Sequence, residues 1–222
     1  MTDNYIKIKE HWESNQSQVH GDMSESSMQD FAKHIIHELR LGKSDTVLDI
    51  GCGDGKVDRF IVPKVKNLFG FDLSTKNINL AKELNPNVTY WTQSFMDKYQ
   101  TEITFDKAFS LGVLQYCYTS DLKTVLHNSI DVVRKGGLLA HLDIADRSKM
   151  HKLYLLNDFF SYPSSKLRQY IKHKLFRDKQ LFKDGSKWID MKYIAKILKE
   201  NNVRFEITDS WAYYKSHLII YP

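Results

Sequence analysis

The stretch "TVLDIGCGDGKVDRF", residues 46–60, decides the interpretation of the whole chain. Its first five residues form a compact run that is mostly β-branched or aliphatic, which predicts a buried strand carrying one acid, Asp49. Three glycines follow at alternate positions: Gly51, Gly53 and Gly55. A glycine loop directly after a buried strand is typical of sites that hold a nucleotide or a phosphate group.

The residues of this loop argue against a phosphate ligand. The dinucleotide fingerprint G-x-G-x-x-G would place its third glycine at position 56, where this chain has Lys56. That difference disfavours an NAD(P)-dependent oxidoreductase. Asp49 and Asp54 lie beside and within the loop, and like charges repel strongly where the dielectric constant is low. The loop therefore suits a cationic ligand better than a pyrophosphate.

Strand and helix patterns alternate after the loop, which predicts an α/β fold. Strand patterns occur at 67–72, 85–91, 105–113 and 138–145, and helix patterns lie between them at 73–84 and 120–137. Such alternation implies parallel strands with helices on both faces. After a last helix, the runs 203–210 and 216–222 are joined by a short aromatic connection and predict an antiparallel pair. We therefore expect an open sheet that is mostly parallel. Its last strand should be antiparallel and lie at the edge of the sheet.

The length of 222 residues predicts a single domain, residues 1–222. Its N-terminal part, residues 1–42, combines a polar segment with an amphipathic helix. Residues 147–189, after the fifth strand, exceed what a minimal crossover requires and are rich in aromatic and basic side chains. We expect this insertion to form a helical cap over the carboxyl ends of the strands; a peripheral helix pair is the alternative.

A second acid narrows the choice of ligand. Asp72 ends the second strand, 21 residues after Gly51, where an acid can accept hydrogen bonds from ribose hydroxyls. An acid-flanked glycine loop together with a ribose-binding acid fits a cationic nucleoside without phosphates. S-adenosylmethionine has this chemistry.

The motifs resemble those of class I S-adenosylmethionine-dependent methyltransferases of the small-molecule type. "VLDIGCGDG" is similar to the family's first motif and "FDLSTKNINLA" to its second, while "QSF", "FDKAFSLGVLQY" and "RKGGLLA" resemble the later ones. The resemblance covers about residues 44–145 in the family's order. It implies a Rossmann-like sheet, an enzyme that transfers a methyl group, and S-adenosylmethionine as the cofactor.

The resemblance also implies roles for individual residues. Asp49, Gly51, Cys52 and Gly53 would receive the methionine part of the cofactor, and Ser110 would lie beneath it. Asp72 would bind the ribose hydroxyls. The adenine would be framed by four residues: Leu73, Gln93, Ser94 and Phe95.

The methyl acceptor requires other residues near the strand ends. A hydroxyl acceptor benefits from a general base, and Asp143 and His141 on the fifth strand are the catalytic candidates. The alternative for His141 is a satisfied histidine in the core. Five further residues are candidates for binding the acceptor: Trp12, Tyr116, Tyr118, Asp146 and Trp188.

The composition limits which cellular compartment and which binding partners can be expected. The amino terminus is charged from its third residue, the apolar runs are too short to span a membrane, and the two cysteines lack metal-ligand spacing. We therefore predict a cytoplasmic protein without a metal site or a membrane span. A homodimer is left open. The net charge of +5 is modest and does not by itself indicate a nucleic-acid partner.

The predicted acceptor is a small molecule, methylated on an oxygen or nitrogen atom. The basic insertion would suit a phosphorylated or nucleotide-linked metabolite of the cell-surface polysaccharide or phospho-amine type. The residues after the fourth strand, "SLGV", lack the signature of enzymes that methylate base amines, so nucleic acid is disfavoured. An RNA methyltransferase and a non-catalytic S-adenosylmethionine-binding protein remain alternatives.

Overall fold

The computed structural model describes residues 3–14, 24–99, 101–153 and 186–222, and its strands form a seven-stranded sheet. The strands are β1 (Thr46–Ile50), β2 (Asn67–Asp72), β3 (Thr89–Thr92), β4 (Phe105–Leu111), β5 (Val133–Ala145), β6 (Arg204–Asp209) and β7 (Lys215–Tyr221). The helices are α1 (Asp3–Ser14), α2 (Glu25–Glu38), α3 (Asp58–Ile61), α4 (Thr75–Leu84), α5 (Leu122–Asp131) and α6 (Met191–Glu200). Short 3-10 helices span Val62–Lys64, Leu114–Tyr116 and Arg147–Lys149.

The strand order is β3-β2-β1-β4-β5-β7-β6. Strands β1 to β5 are parallel, whereas β7 pairs antiparallel with both β5 and β6. This confirms the predicted sheet with its antiparallel last strand, and it places β6 at the edge with β7 inserted before it. The order reverses between β1 and β4, which is where open α/β sheets bind their ligands.

Helices cover both faces of the sheet, as the alternating pattern predicts. On β1, Leu48 and Ile50 belong to a core shared with α5 and α6, while Val47 faces a second core shared with α2 and α4. Successive side chains of a strand point to opposite faces, so Asp49 lies on the same face as Val47. The central strand is thus buried on both sides, with its acid at the end that meets the glycine loop.

The N-terminal helix docks beside that end of the sheet. Glu13 of α1 accepts a hydrogen bond from the backbone N–H of Thr75 at 2.8 Å and one from the Ser74 hydroxyl at 3.4 Å. These donors belong to the first turn of α4, where free N–H groups favour a carboxylate. The contact holds α1 close to Asp72, which lies just before this turn.

Only the ends of the predicted cap, residues 147–189, are within the described part of the chain. Asp146 and Ile189 form a parallel bridge that brings these ends together beside β5. Residues 154–185, which carry most of its aromatic and basic side chains, lie outside the described residues. None of the helices in the described ranges is both long enough and apolar enough to cross a membrane.

The strand order can be tested with a pair of facing residues on β6 and β7. Leu218 is fully buried and its partner Ile207 is 38% exposed. We expect Leu218→Ala to lower the free energy of unfolding by about 2–5 kcal/mol and Ile207→Ala by less than about 1 kcal/mol, measured by urea unfolding. Equal losses would contradict the position of β7 inside the sheet.

Candidate active site

The glycine loop is tied to β2 by its backbone. The N–H groups of Gly51 and Cys52 both donate to the carbonyl oxygen of Phe71, at 2.8 and 3.0 Å. Gly51 has φ +80°, which a residue with a Cβ rarely adopts. A Cβ there would also lie 2.6 Å from Cγ2 of Val113, so both the backbone and the space require glycine.

Asp72 is held rigidly against this loop. One carboxylate oxygen accepts from the N–H of Gly53 at 3.1 Å, and the other accepts from the N–H of Ser74 at 2.9 Å. Burial raises the pKa of Asp72 and the two N–H donors oppose this. The Asn77 amide also donates to the second of these oxygens, at 3.5 Å. A carboxylate has about four acceptor positions, so capacity remains for a ribose hydroxyl.

A cavity of about 420 Å³ extends from the loop across the carboxyl ends of the strands. Nine of the predicted site residues line it: Trp12, Asp49, Gly51, Cys52, Asp72, Leu73, Phe95, Tyr116 and Asp143. They come from α1, the ends of β1 and β2 with the loops that follow them, the segments after β3 and β4, and β5 itself. The structure therefore brings some of the residues predicted for the methionine part, the ribose and the acceptor into one space.

Asp49 gives this cavity its electrostatic character. Its Oδ1 is buried, and no hydrogen-bond donor among the described residues reaches it. Burial raises the pKa of Asp49 well above its ordinary range, and the nearby Asp58 and Asp72 raise it further. An acidic cavity wall fits a ligand that brings positive charge and N–H donors, as the methionine end of S-adenosylmethionine does.

The predicted adenine frame is only partly at the cavity. Leu73 and Phe95 line it, but the side chains of Gln93 and Ser94 hold the following turn instead. Gln93 accepts from the Trp91 indole at 2.8 Å and donates to the carbonyl oxygen of Lys98 at 3.0 Å. Ser94 Oγ accepts from the N–H of Met96. The two polar residues thus shape the turn that carries Phe95.

His141 and Ser110 form a buried pair away from the cavity. Ser110 Oγ lies 2.8 Å from His141 Nδ1, and Ser129 Oγ lies 3.2 Å from Nε2. Burial lowers the pKa of His141 to about 3, which keeps the ring neutral. Neither residue lines the cavity. The geometry matches the satisfied core histidine and gives no support to His141 as a base or to Ser110 as a cofactor contact.

Asp143 reaches the cavity because the backbone of β5 is locally distorted. The register with β7 shifts between His141 and Ile144, and Asp143 has φ +59°, in the left-handed region. A bulge of this kind redirects a side chain, and strained backbone often occurs at functional sites. The carboxylate is paired with Lys215 Nζ at 2.5 Å and accepts from the Ser210 hydroxyl at 2.9 Å.

Three predicted acceptor residues lie outside the cavity lining. Asp146 caps the 3-10 helix after β5, accepting from Ser148, and its second oxygen accepts from Ser216 at 2.7 Å. Tyr118 stacks under Lys187, and Trp188 packs in a small core beside β5. These contacts give each of the three side chains a structural role outside the cavity.

Sequence reasoning missed the contribution of the β6–β7 connection. Trp211 and Lys215 both line the cavity, and so does Phe31 of α2, whose ring lies 5.4 Å from that of Trp211. The aromatic connection "WAYYK", residues 211–215, was the available signal. The short length of this connection suggested only a tight turn. A hairpin pattern in the sequence does not show whether the tip of the hairpin faces the cavity.

Comparison with known proteins agrees with this geometry. Residues 47–137 match the family model described as a methyltransferase domain. The match covers less than half of the chain. With the sheet and the acidic cavity, it supports a class I S-adenosylmethionine-dependent methyltransferase domain, for which the cofactor would be S-adenosylmethionine. The resemblance seen in the motifs is thereby confirmed.

Three individual relatives share less than a third of their aligned residues with this chain. The chain is 29% identical over 122 residues (52% of this chain, 31% of the other) to a Pseudomonas putida protein named "Probable fatty acid methyltransferase". It is 27% identical over 111 residues (49% and 43%) to the trans-aconitate 2-methyltransferase of Azoarcus sp.. The chain thus matches less than half the length of either. The magnesium protoporphyrin IX methyltransferase of Synechocystis, solved with S-adenosylmethionine bound, shares the fold, with a TM-score of 0.63, 15% identity and coverage of 99% and 97%.

The role of Asp72 can be tested directly. Replacing Asp72 by Ala should weaken binding of S-adenosylhomocysteine by on the order of 1–3 kcal/mol, because hydrogen bonds to a charged group are lost. Calorimetric titration measures the change, with Asp209→Ala at an exposed position as the control. Unchanged affinity would show that Asp72 does not hold the ribose.

The state of His141 predicts a pH dependence of stability. The native pKa of about 3 lies below the ordinary 6.5, so the unfolded state binds a proton that the native state does not as pH falls from 6.5 towards 3. This part of the stability is complete above pH 6.5 and is lost below it, by at most about 1.4 kcal/mol per pH unit. Urea unfolding at pH 7, 6 and 5 should show wild type losing stability relative to His141→Gln. A constant difference between the two proteins would contradict a neutral, buried His141.

Proposed function

We propose that this chain catalyses transfer of a methyl group from S-adenosylmethionine to an oxygen or nitrogen atom of a small molecule. The observation that carries the proposal is the continuous cavity joining the glycine loop and Asp72 to Asp143 and Lys215. Its volume of about 420 Å³ falls within the range of small-molecule sites, roughly 300–1,000 Å³. A space that reaches beyond the cofactor residues favours an enzyme over a non-catalytic binding protein.

Asp143, Lys215 and Ser210 have different roles in the proposed reaction. S-adenosylmethionine supplies an electrophilic methyl group on its sulfonium. Asp143 accepts a hydrogen bond from the acceptor's N–H or O–H group and takes its proton as the new bond forms. Lys215 and Ser210 hold the Asp143 carboxylate in place, and this positioning supplies part of the rate by alignment.

Aromatic side chains form the walls around the proposed acceptor. Trp12 and Tyr116 meet edge to face with centroids 5.3 Å apart, and Phe31 and Trp211 lie on the hairpin side. Such walls favour an acceptor with an apolar or planar body. Trp12 and Tyr116 thus keep the acceptor role predicted from the sequence.

The charge of the acceptor follows from Lys215. Among the described residues that line the cavity it is the only lysine or arginine, and its charge is balanced by Asp143. The described residues therefore offer little attraction for a phosphorylated or nucleotide-linked metabolite of the polysaccharide or phospho-amine type. That prediction rested on the basic side chains between 154 and 185, outside the described residues.

A labelling experiment distinguishes the acceptor classes. Purified protein is incubated with methyl-labelled S-adenosylmethionine and an extract of the source cells, and the products are separated by a filter that retains RNA and protein. We expect label in the filtrate. Retained label that ribonuclease releases would identify an RNA methyltransferase, and retained label that resists it would identify a protein acceptor. Cofactor binding without any transfer would support a non-catalytic protein.

The role of Asp143 makes a separate prediction. Asp143→Asn should lower kcat with the identified acceptor by about 100-fold or more, since an amide cannot take the proton, while affinity for S-adenosylhomocysteine changes by less than about threefold. Asp131→Asn, an exposed acid at the end of α5, is the matched control. Equal losses of kcat and cofactor affinity would remove Asp143 from the acceptor side.

A further inference from the structure

Two buried carboxyl groups meet beneath the glycine loop. Asp58, in the first turn of α3, is fully buried, and Asp49 at the end of β1 is 5% exposed. Oδ1 of each is buried, and apart from the other carboxyl group no described residue offers either atom a hydrogen bond. The two carboxyl groups are near enough to influence each other's pKa, and such a pair can hydrogen-bond only if a proton lies between its members.

The second oxygen of Asp58 shows which member carries the charge. The Tyr90 hydroxyl donates to Oδ2 of Asp58 at 2.7 Å, and the Asn85 amide donates to the Tyr90 oxygen at 3.2 Å. A donor chain of this kind stabilises the ionised form of Asp58. Asp49 therefore holds the proton and donates it to Asp58.

The surroundings of the pair disfavour a second negative charge. Asp72 from β2, Asp54 and the Cys52 thiol from the loop, and Tyr90 from β3 face it. Lys56 is paired with Asp54 at 2.7 Å. Burial raises the pKa of Asp58 to about 6 and that of Asp49 well above its ordinary range. These surroundings favour a free pair that holds one proton and carries one negative charge.

We propose that Asp58 is a positioning residue for the cofactor, and that the Asp49–Asp58 pair releases its shared proton when the cationic end of S-adenosylmethionine binds. Asp49 lines the cavity, so the incoming positive charge acts on it directly. The proton goes to solvent, and the pair then presents two negative charges to the ligand. The proposal concerns the cofactor and does not depend on the identity of the acceptor.

The sign of the pH dependence follows from this exchange. Binding releases a proton only at pH values where the free pair holds one and the complex does not. Affinity therefore rises with pH over that range, by up to tenfold per unit, and levels off where the free pair has lost its proton. Titrations are best made at pH 6.5 and 7.0, where the amine of the ligand itself remains largely protonated.

Calorimetry in buffers of different ionisation enthalpy counts the protons. Titrating S-adenosylmethionine into wild type in phosphate and in imidazole buffer should give close to one proton released. Asp58→Asn should release close to none and lose the pH dependence, because the Asn amide can donate to an ionised Asp49. Asp131→Asn is the control and should behave as wild type.

The results of these titrations distinguish a failure of proton release from a failure of the cofactor assignment. Binding by wild type with no proton released would overturn it, as would full release by a folded Asp58→Asn protein. No binding at all would instead challenge the cofactor assignment. If Asp58→Asn fails to fold, Tyr90→Phe serves, since loss of the hydroxyl donor should move the pH range of release upwards; an unmoved range would count against the pair.

Discussion

Two backbone N–H groups, those of Gly51 and Cys52, share the carbonyl oxygen of Phe71, and the cofactor half of the site depends on this attachment. It turns the chain sharply across the end of β2, so that the next N–H, that of Gly53, reaches Asp72. A side chain at position 51 would collide with Val113 on the neighbouring β4 segment. The loop, the ribose acid and the wall after β4 are therefore one constrained unit.

The two ends of the cavity differ in how their acids are compensated. At the loop, Tyr90 donates to Asp58, and no lysine or arginine among the described residues is paired with Asp49 or Asp58. At the far end Asp143 is paired with Lys215 in a direct ion pair. At the cofactor end, positive charge from a ligand can therefore balance the acids, whereas at the acceptor end Lys215 already balances Asp143. This difference favours a cationic cofactor and an acceptor chosen by shape and hydrogen bonding.

The sheet and most of the cofactor site could be predicted from sequence because they depend on local patterns. Glycine spacing, an acid at a strand end and alternating strand and helix periods are readable along the chain. The separation of His141 from Asp143 could not be predicted, since a two-residue period puts both on the same face. The bulge in β5 breaks that period and turns Asp143 alone to the cavity. Lys215 was missed because its contact spans 72 residues of chain.

The hairpin of β6 and β7 has a consequence for how such a protein can change. The parallel strands carry the glycine loop and Asp72, while the hairpin brings Trp211 and Lys215 to the other end of the cavity. Side chains on a strand alternate between faces, so one residue added at the hairpin tip that shifted the register would carry Lys215 away from Asp143. A two-residue insertion would preserve its facing and only resize the space. Acceptor preference can thus diverge through the length of one short turn, while the cofactor half stays unaltered.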